Sequence, residues 1–312
     1  MGSGLLESRG NPVGNSRSVD DGSQDRRCRL NDALNFLIFG SVGLPSFPFW
    51  RRTVPLILTE TQDAVGTIVM NHAQKRNALS EALISEIITA LECFREQDIR
   101  AAVLRAPADA KVWSAGHDVS ELPDRGRDPL GWGDSLRVLV RAIQEFPAPV
   151  IAMLEGGVWG GGCEVAMACD ILVATPETAF AITPAKLGVP YNLGGILTLM
   201  NMVPLPIGKE MLFTAQPIPA AQALNLGVIN YIKPAAEIEA FVYGLASQIV
   251  ANSPLSIAVM KEELRLLASA RTLSPELFER IQGLRRVVYD SHDYQEGLNA
   301  FREKRKPRFR GE

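Results

Sequence analysis

Residues 149–175 read PVIAMLEGGVWGGGCEVAMACDILVAT, and this stretch decides the fold class. The apolar run 149–154 predicts a buried strand, and 170–175 predicts a second one. Between them lie a glycine-rich turn and a short helix over GGCEVAMA (161–168). Strand, turn, helix, strand is the grammar of an α/β protein. Three glycines in a row (160–162) carry a large entropic cost on folding, so something must require a bare backbone there. The first N–H groups of a helix have no partner within it and sit at the positive end of its dipole. Glycines at that point let a ligand approach those amides closely. Tight helix–strand packing is the plainer reason for such a turn. A phosphate loop is disfavoured, since neither GxxxxGK[ST] nor GxGxxG followed by a long helix is present.

Outward from this stretch the same alternation continues. AVGTIVMN (64–71) and AAVLRA (101–106) predict strands around a helix over 80–96, with Ser80 as its N-cap. TAFAI (178–182) predicts a further strand. Beyond residue 190 helices dominate. Ser253–Pro254 and Ser274–Pro275 have the form of N-caps with proline in the first turn, and Asp293 with Glu296 resembles a capping box for the last helix. The chain divides into an extension (1–50) with no periodicity, an α/β core (51–252) and a helical C-terminal region (253–312). The first 27 residues of the extension are rich in Gly, Ser, Asp and Arg, which predicts disorder; LNFLIFGSVGLPSFPFW (34–50) is apolar but short and broken by Gly and Pro, and Asp20, Asp21 and Asp25 make a signal or transit peptide poorly formed.

Bulk properties narrow the function classes. With 312 residues, a net charge of −3 and 21% charged residues, the chain has no broad basic surface for nucleic acid or anionic membrane. No apolar run reaches the roughly 20 residues of a membrane span. The four cysteines (28, 93, 163, 169) and the three histidines are scattered, which predicts reduced thiols, a cytoplasmic protein and no metal site.

A second small-residue turn, VWSAGHDVSEL (112–122), follows the strand at 101–106. It would place the His117 amide beside a ligand. One amide from each of two loops can form an oxyanion hole for an ester or thioester carbonyl.

KRNALS (75–80), SAGHD (114–118), GGGCEVAMACDILVAT (160–175), AFAITPAKLGVP (179–190) and AFREKRKPRF (300–309) together resemble the crotonase superfamily, the enoyl-CoA hydratase/isomerase fold. The resemblance covers about residues 54–310. It implies a spiral of ββα units, a helical C-terminal trimerisation region and assembly as a homotrimer or homohexamer. It also implies an acyl-CoA substrate polarised by the amides of His117 and Gly161, and no cofactor beyond the coenzyme A carried by that substrate. In hydratases of this superfamily two glutamates flank one water. The first corresponds to Glu164; at the second position this chain has Pro184, which can be neither acid nor base.

Thr183, Pro184, Tyr191 and His117, with the surface segments LPDRGRDPL (122–130), EGGVWGG (155–161) and FTAQPI (213–218), are similar to the methylmalonyl-CoA decarboxylase branch. That resemblance implies decarboxylation of methylmalonyl-CoA to propionyl-CoA. His117, Gly161, Thr183, Tyr191 and Glu164 would form the catalytic group, with Glu164 the least required. For the coenzyme moiety it points to Lys75, Arg76, Ala78, Ala115, Gly116, Asp118, Val119, Phe301 and Lys304. Two alternatives stay open: another crotonase-type activity (isomerase, hydratase or hydrolase) using Glu164, and a non-catalytic acyl-CoA-binding protein. Trp159 is expected as pocket wall, and Cys163 and Cys169 as core thiols.

Overall fold

A computed structural model describes residues 54–108, 110–122, 133–269 and 274–312, all within one compact unit. The extension assigned to residues 1–50 lies outside the described residues, as does most of the segment 122–130.

The chain opens with an antiparallel pair, β1 (Ile57–Gln62) and β2 (Val65–Met70), turned by Asp63 and Ala64 at positive φ. Helix α1 (Glu81–Glu96) follows, and the Ser80 side chain accepts a hydrogen bond from the Leu83 amide, the predicted cap. Then one pattern repeats: a strand in the main sheet, a short strand in a second sheet, and a helix. Its first turn is β3 (Ala101–Arg105), β4 (Val112–Ser114) and α2 (Ser135–Glu145). The second is β5 (Val150–Leu154), β6 (Gly157–Trp159) and α3 (Gly161–Ala168). The third is β7 (Ile171–Ala174), β8 (Ala179–Ala181), a 3₁₀ turn Pro184–Leu187 and α4 (Leu193–Met202). Helices α5 (Leu205–Thr214) and α6 (Ala220–Asn225) alternate with the two-residue strands β9 (Ile218–Pro219) and β10 (Tyr231–Ile232). Helices α7 (Ala235–Val250), α8 (Pro254–Ala268), α9 (Pro275–Tyr289) and α10 (His292–Arg302) complete the chain.

The main sheet has six strands in the order β1-β2-β3-β5-β7-β10, parallel beyond the first pair; the second has four, β4-β6-β8-β9. This is the spiral of ββα units expected of the crotonase fold. Buried faces alternate with period two along the main strands. Ala102, Leu104, Ala152 and Leu154 face a large core with α1, α2 and α3, whereas Ala101, Val103, Ile151 and Met153 face Ile238, Val242 and Ala246 of α7. Coverage on both faces explains why the strands read as continuous apolar runs. Among the described residues no single helix is long and apolar enough to cross a membrane.

Of the three expectations on the C-terminal helices, two held and one did not. Ser253 and Ser274 cap α8 and α9 ahead of their prolines. Helix α10, however, is capped by Ser291, whose hydroxyl accepts from the Tyr294 amide. Asp293 instead accepts from the Arg310 and Gly311 amides, and Glu296 binds Arg305. Both carboxylates thus tie the C-terminal tail down rather than form a capping box.

Candidate active site

The two small-residue turns meet. Gly116 has φ +86° and Gly160 φ +53°, backbone conformations that side chains other than glycine rarely adopt. A Cβ at Gly116 would fall 2.5 Å from the Trp159 carbonyl and 2.9 Å from the Gly161 nitrogen. A Cβ at Gly161 would fall 3.2 Å from the His117 nitrogen. The bare backbone is therefore what brings the His117 and Gly161 amides side by side. Neighbouring amides are occupied: Gly116 donates to Ser114 Oγ (3.1 Å), Asp118 to the Leu79 carbonyl (3.2 Å) and Gly160 to the Ala181 carbonyl (2.8 Å). Among the described residues the His117 and Gly161 amides have no acceptor. Gly161 also opens α3, so its N–H is one of the unpaired donors of a helix start.

These amides border a cavity of about 560 Å³. The structure gathers nearly all the sequence-predicted residues on its walls: Lys75, Arg76, Ala78, Ala115, His117, Asp118, Val119, Gly161, Glu164, Thr183, Tyr191 and Phe301. Trp159 and Pro184 line it too, as expected of a pocket wall and of a position without acid or base. Gly116 supports the wall from behind. Lys304 is not on the walls; it sits at φ +55° just beyond α10. Asp118 is occupied, accepting from Lys75 Nζ (2.8 Å) and from the Ser120 amide and hydroxyl (3.0 and 2.6 Å). Burial alone would raise its pKa, but those donors hold it at about 2. Asp118 thus positions Lys75, which remains half-exposed at the cavity mouth. Cys163 and Cys169 are buried core thiols, each pushed well up by burial.

Three residues of the site were not anticipated from the sequence. Asp134 caps α2, its Oδ1 accepting from the Leu136 and Arg137 amides, while its Oδ2 lies 3.2 Å from His117 Nε2. The other ring nitrogen of His117 lies 3.2 Å from the Asp118 carbonyl. Burial opposes the imidazolium, yet Asp134 and the Asp118 carbonyl outweigh it, so the pKa of His117 stands above its usual value. Arg137, one turn along α2, donates to Glu164 Oε1 (2.5 Å), and Asn192 donates to Oε2 (2.7 Å). Burial raises the Glu164 pKa more than Arg137 and Asn192 lower it. The Tyr191 ring packs on Gly195, and burial, with the charge of nearby Glu164, drives its pKa well up, so it stays a neutral phenol. A residue before an amphipathic run, Asp134, and one before LGGILTLM, Asn192, both carried N-cap signals. Arg137 carried none.

The arrangement offers two free amides to a developing oxyanion, an apolar chamber, and polar groups (His117, Thr183, Tyr191) around the remainder. Of its two buried carboxylates, Asp118 is held by Lys75 and Ser120, and Glu164 by a guanidinium and an amide. No group of His, Cys, Asp and Glu suited to a metal ion occurs among the described residues.

Such a fold and site define a class, and the family comparison agrees: residues 60–312 match the enoyl-CoA hydratase/isomerase family, and the chain belongs to it. Within that family it is 50% identical over 251 residues to the methylmalonyl-CoA decarboxylase of Escherichia coli strain K12, spanning 80% of this chain and 96% of that protein. A probable mitochondrial enoyl-CoA hydratase of Dictyostelium discoideum is 30% identical, over 80% and 88% of the two chains. Among solved structures, methylmalonyl-CoA decarboxylase complexed with 2S-carboxypropyl-CoA superposes with a TM-score of 0.82 at 48% identity, covering 83% of this chain and 100% of that one. An enoyl-CoA hydratase from Mycobacterium avium subsp. paratuberculosis gives 0.68 at 25% identity, over 83% and 100%.

Proposed function

We propose that this protein decarboxylates methylmalonyl-CoA to propionyl-CoA. The observation that carries the proposal is the fate of the two acid/base positions. One is Pro184; at the other, both Glu164 oxygens are occupied, by Arg137 and by Asn192. Hydration needs two working carboxylates around a water, whereas loss of CO₂ from a malonyl-type thioester needs no base.

The chemistry follows from the geometry. The thioester oxygen accepts from the His117 and Gly161 amides. When the C2–carboxylate bond breaks, its electron pair flows into the thioester carbonyl, giving an enolate whose negative oxygen those amides hold. Each preorganised donor of this kind contributes roughly 2.7–4 kcal/mol to the transition state in comparable sites. Cleavage requires the carboxylate perpendicular to the carbonyl plane, and Thr183 and Tyr191 are the polar groups placed to orient it. A proton at C2 then yields propionyl-CoA, and the His117 imidazolium, sustained by Asp134, is a proton store on the same wall. In this reading Lys75 and Arg76 at the mouth receive the coenzyme phosphates, Phe301 packs on the coenzyme, and Lys304 acts outside the cavity or from a neighbouring copy.

No cofactor enters this scheme. A homotrimer or homohexamer fits the apolar side chains that α8 and α9 leave exposed, among them Leu255, Leu264, Leu267, Leu284 and Val287. The free cysteines Cys93, Cys163 and Cys169 fit a cytoplasmic enzyme. The test is turnover of a substrate panel. Methylmalonyl-CoA should release CO₂ and propionyl-CoA, while crotonyl-CoA is left unhydrated; the reverse pattern would replace decarboxylation with hydration.

A further inference from the structure

Helix α9 is built inside out. Leu277, Phe278, Leu284 and Val287 are exposed, and the two buried side chains are Arg285 and Tyr289, one turn apart. Burying a guanidinium is costly unless its donors are engaged. Here Nη2 donates to the Tyr289 hydroxyl (2.8 Å), and the cation lies 5.6 Å from that ring's centre. Nη1 donates to the main chain of the active-site loop, 2.6 Å to the Tyr191 carbonyl and 3.3 Å to the Pro190 carbonyl. Tyr289 in turn stacks edge-on against Tyr294 of α10. Helix α10 presses on the same loop from the other end. The Asp293 carbonyl would lie 2.6 Å from a Cβ at Gly188, and the Leu187 carbonyl 2.1 Å from a Cβ at Gly297.

Tyr191 is therefore held at both ends. Its ring rests on Gly195, while its carbonyl is fixed by Arg285. The next residue, Asn192, is the donor that holds Glu164 Oε2. A charge-assisted bond to a carbonyl is among the stronger that a loop can receive, and the planar guanidinium holds the loop through Nη1 and the Tyr289 hydroxyl through Nη2, two directions at once that the single nitrogen of an ammonium matches poorly.

We propose that Arg285 is a positioning residue for the decarboxylation reaction, acting through the Tyr191 carbonyl to set the Tyr191 hydroxyl and Asn192 in place on the cavity wall. The inference rests on the proposed function and adds to it a residue of the C-terminal helices that does not line the catalytic cavity. Misplacing a catalytic group by about 1 Å costs on the order of a hundredfold in rate.

The test combines Arg285→Lys, Arg285→Met and Tyr191→Phe, singly and as double variants. Arg285→Lys should lower kcat for methylmalonyl-CoA between about tenfold and a hundredfold, while Kd for propionyl-CoA moves less than about twofold. In the Tyr191→Phe background the same substitution should cost no more than about threefold, because the group it positions is already gone. Hydrogen exchange of the peptide spanning residues 188–192 should speed up in both Arg285 variants. An equal fold-loss in the two backgrounds, a parallel loss of propionyl-CoA affinity, or unchanged kcat would overturn the positioning role. If the native protein releases no CO₂ the proposed function fails, and hydrogen exchange alone then decides the Arg285 clamp: unaltered exchange refutes it.

Discussion

Arg137→Met tests the electrostatics of the site most severely. In the native protein the Glu164 side chain has no solvent exposure, and Arg137 is 15% exposed and holds one of its oxygens. Methionine retains the stem of the side chain and removes the charge, leaving Glu164 with the Asn192 amide. Removing one partner of a buried pair typically costs about 3–5 kcal/mol, because the other charge is left uncompensated. At roughly 2–4 °C per kcal/mol for a chain of this size, the melting temperature should fall by roughly 6–20 °C near neutral pH. The sign of the pH dependence is fixed by Glu164, whose pKa in the folded protein is raised above the ordinary 4.5, chiefly by burial. A raised carboxyl contributes stability in its protonated form, fully below pH 4.5 and progressively less as pH rises through the folded value. Without Arg137 the folded value climbs further, so the deficit of the variant should grow with pH. Melting curves at pH 5 and pH 8, with Glu164→Gln added in the variant background, check this. A deficit equal at both pH values, or one that the glutamine does not relieve, would refute the claim that Arg137 serves to neutralise a buried carboxylate.

Three further outcomes follow from the same geometry. Glu164→Gln should leave kcat for methylmalonyl-CoA within about tenfold of the native value, since no general base is required; steady-state rates of propionyl-CoA formation decide it. Asp134→Asn keeps a helix-capping side chain for α2 but withdraws the charge beside His117. The His117 pKa should then fall from its raised value, carrying with it the alkaline limb of the kcat/KM profile and the matching imidazole NMR titration. Gly116→Ala drives a Cβ into the Trp159 carbonyl and spreads the two amides. It should lower kcat by about 10²–10³, the effect of losing one oxyanion donor, measured beside a melting curve to separate rate from folding.

Local signals carried far through this chain. Ser80, Ser253 and Ser274 announced their helices because a cap is satisfied within three residues, and the parallel strands showed as apolar runs because both faces are covered. The glycine run announced a bare backbone at a ligand site; that it also lets two backbones meet, Gly116 against Trp159 and Gly161, came from the fold. The second sheet was mostly hidden: TAFAI announced β8, but β4 and β6 are three residues each, too short for any period to register. Strand β1 (ILTETQ) lies at a sheet edge with mostly exposed, polar residues, and it gave no apolar pattern. Asp293 and Glu296 had the spacing of a capping box, but the tail that claims them returns from residues 305–311, a contact no local window contains. The same holds for Arg137, whose partner Glu164 lies 27 residues away. Family resemblance pointed to His117, Gly161, Glu164 and Tyr191; folding supplied Asp134 beside His117, and Arg137 and Asn192 on the oxygens of Glu164.

The central claim is that CO₂ leaves to give a thioester enolate held by two amides, with the proton arriving afterwards. Incubation of the protein with methylmalonyl-CoA in D₂O, followed by mass spectrometry of the product and quantitation of CO₂, tests it directly. The account predicts one propionyl-CoA per CO₂, carrying one deuterium at C2. Absence of CO₂ release, with the substrate recovered unchanged or hydrolysed to free coenzyme A, would contradict it.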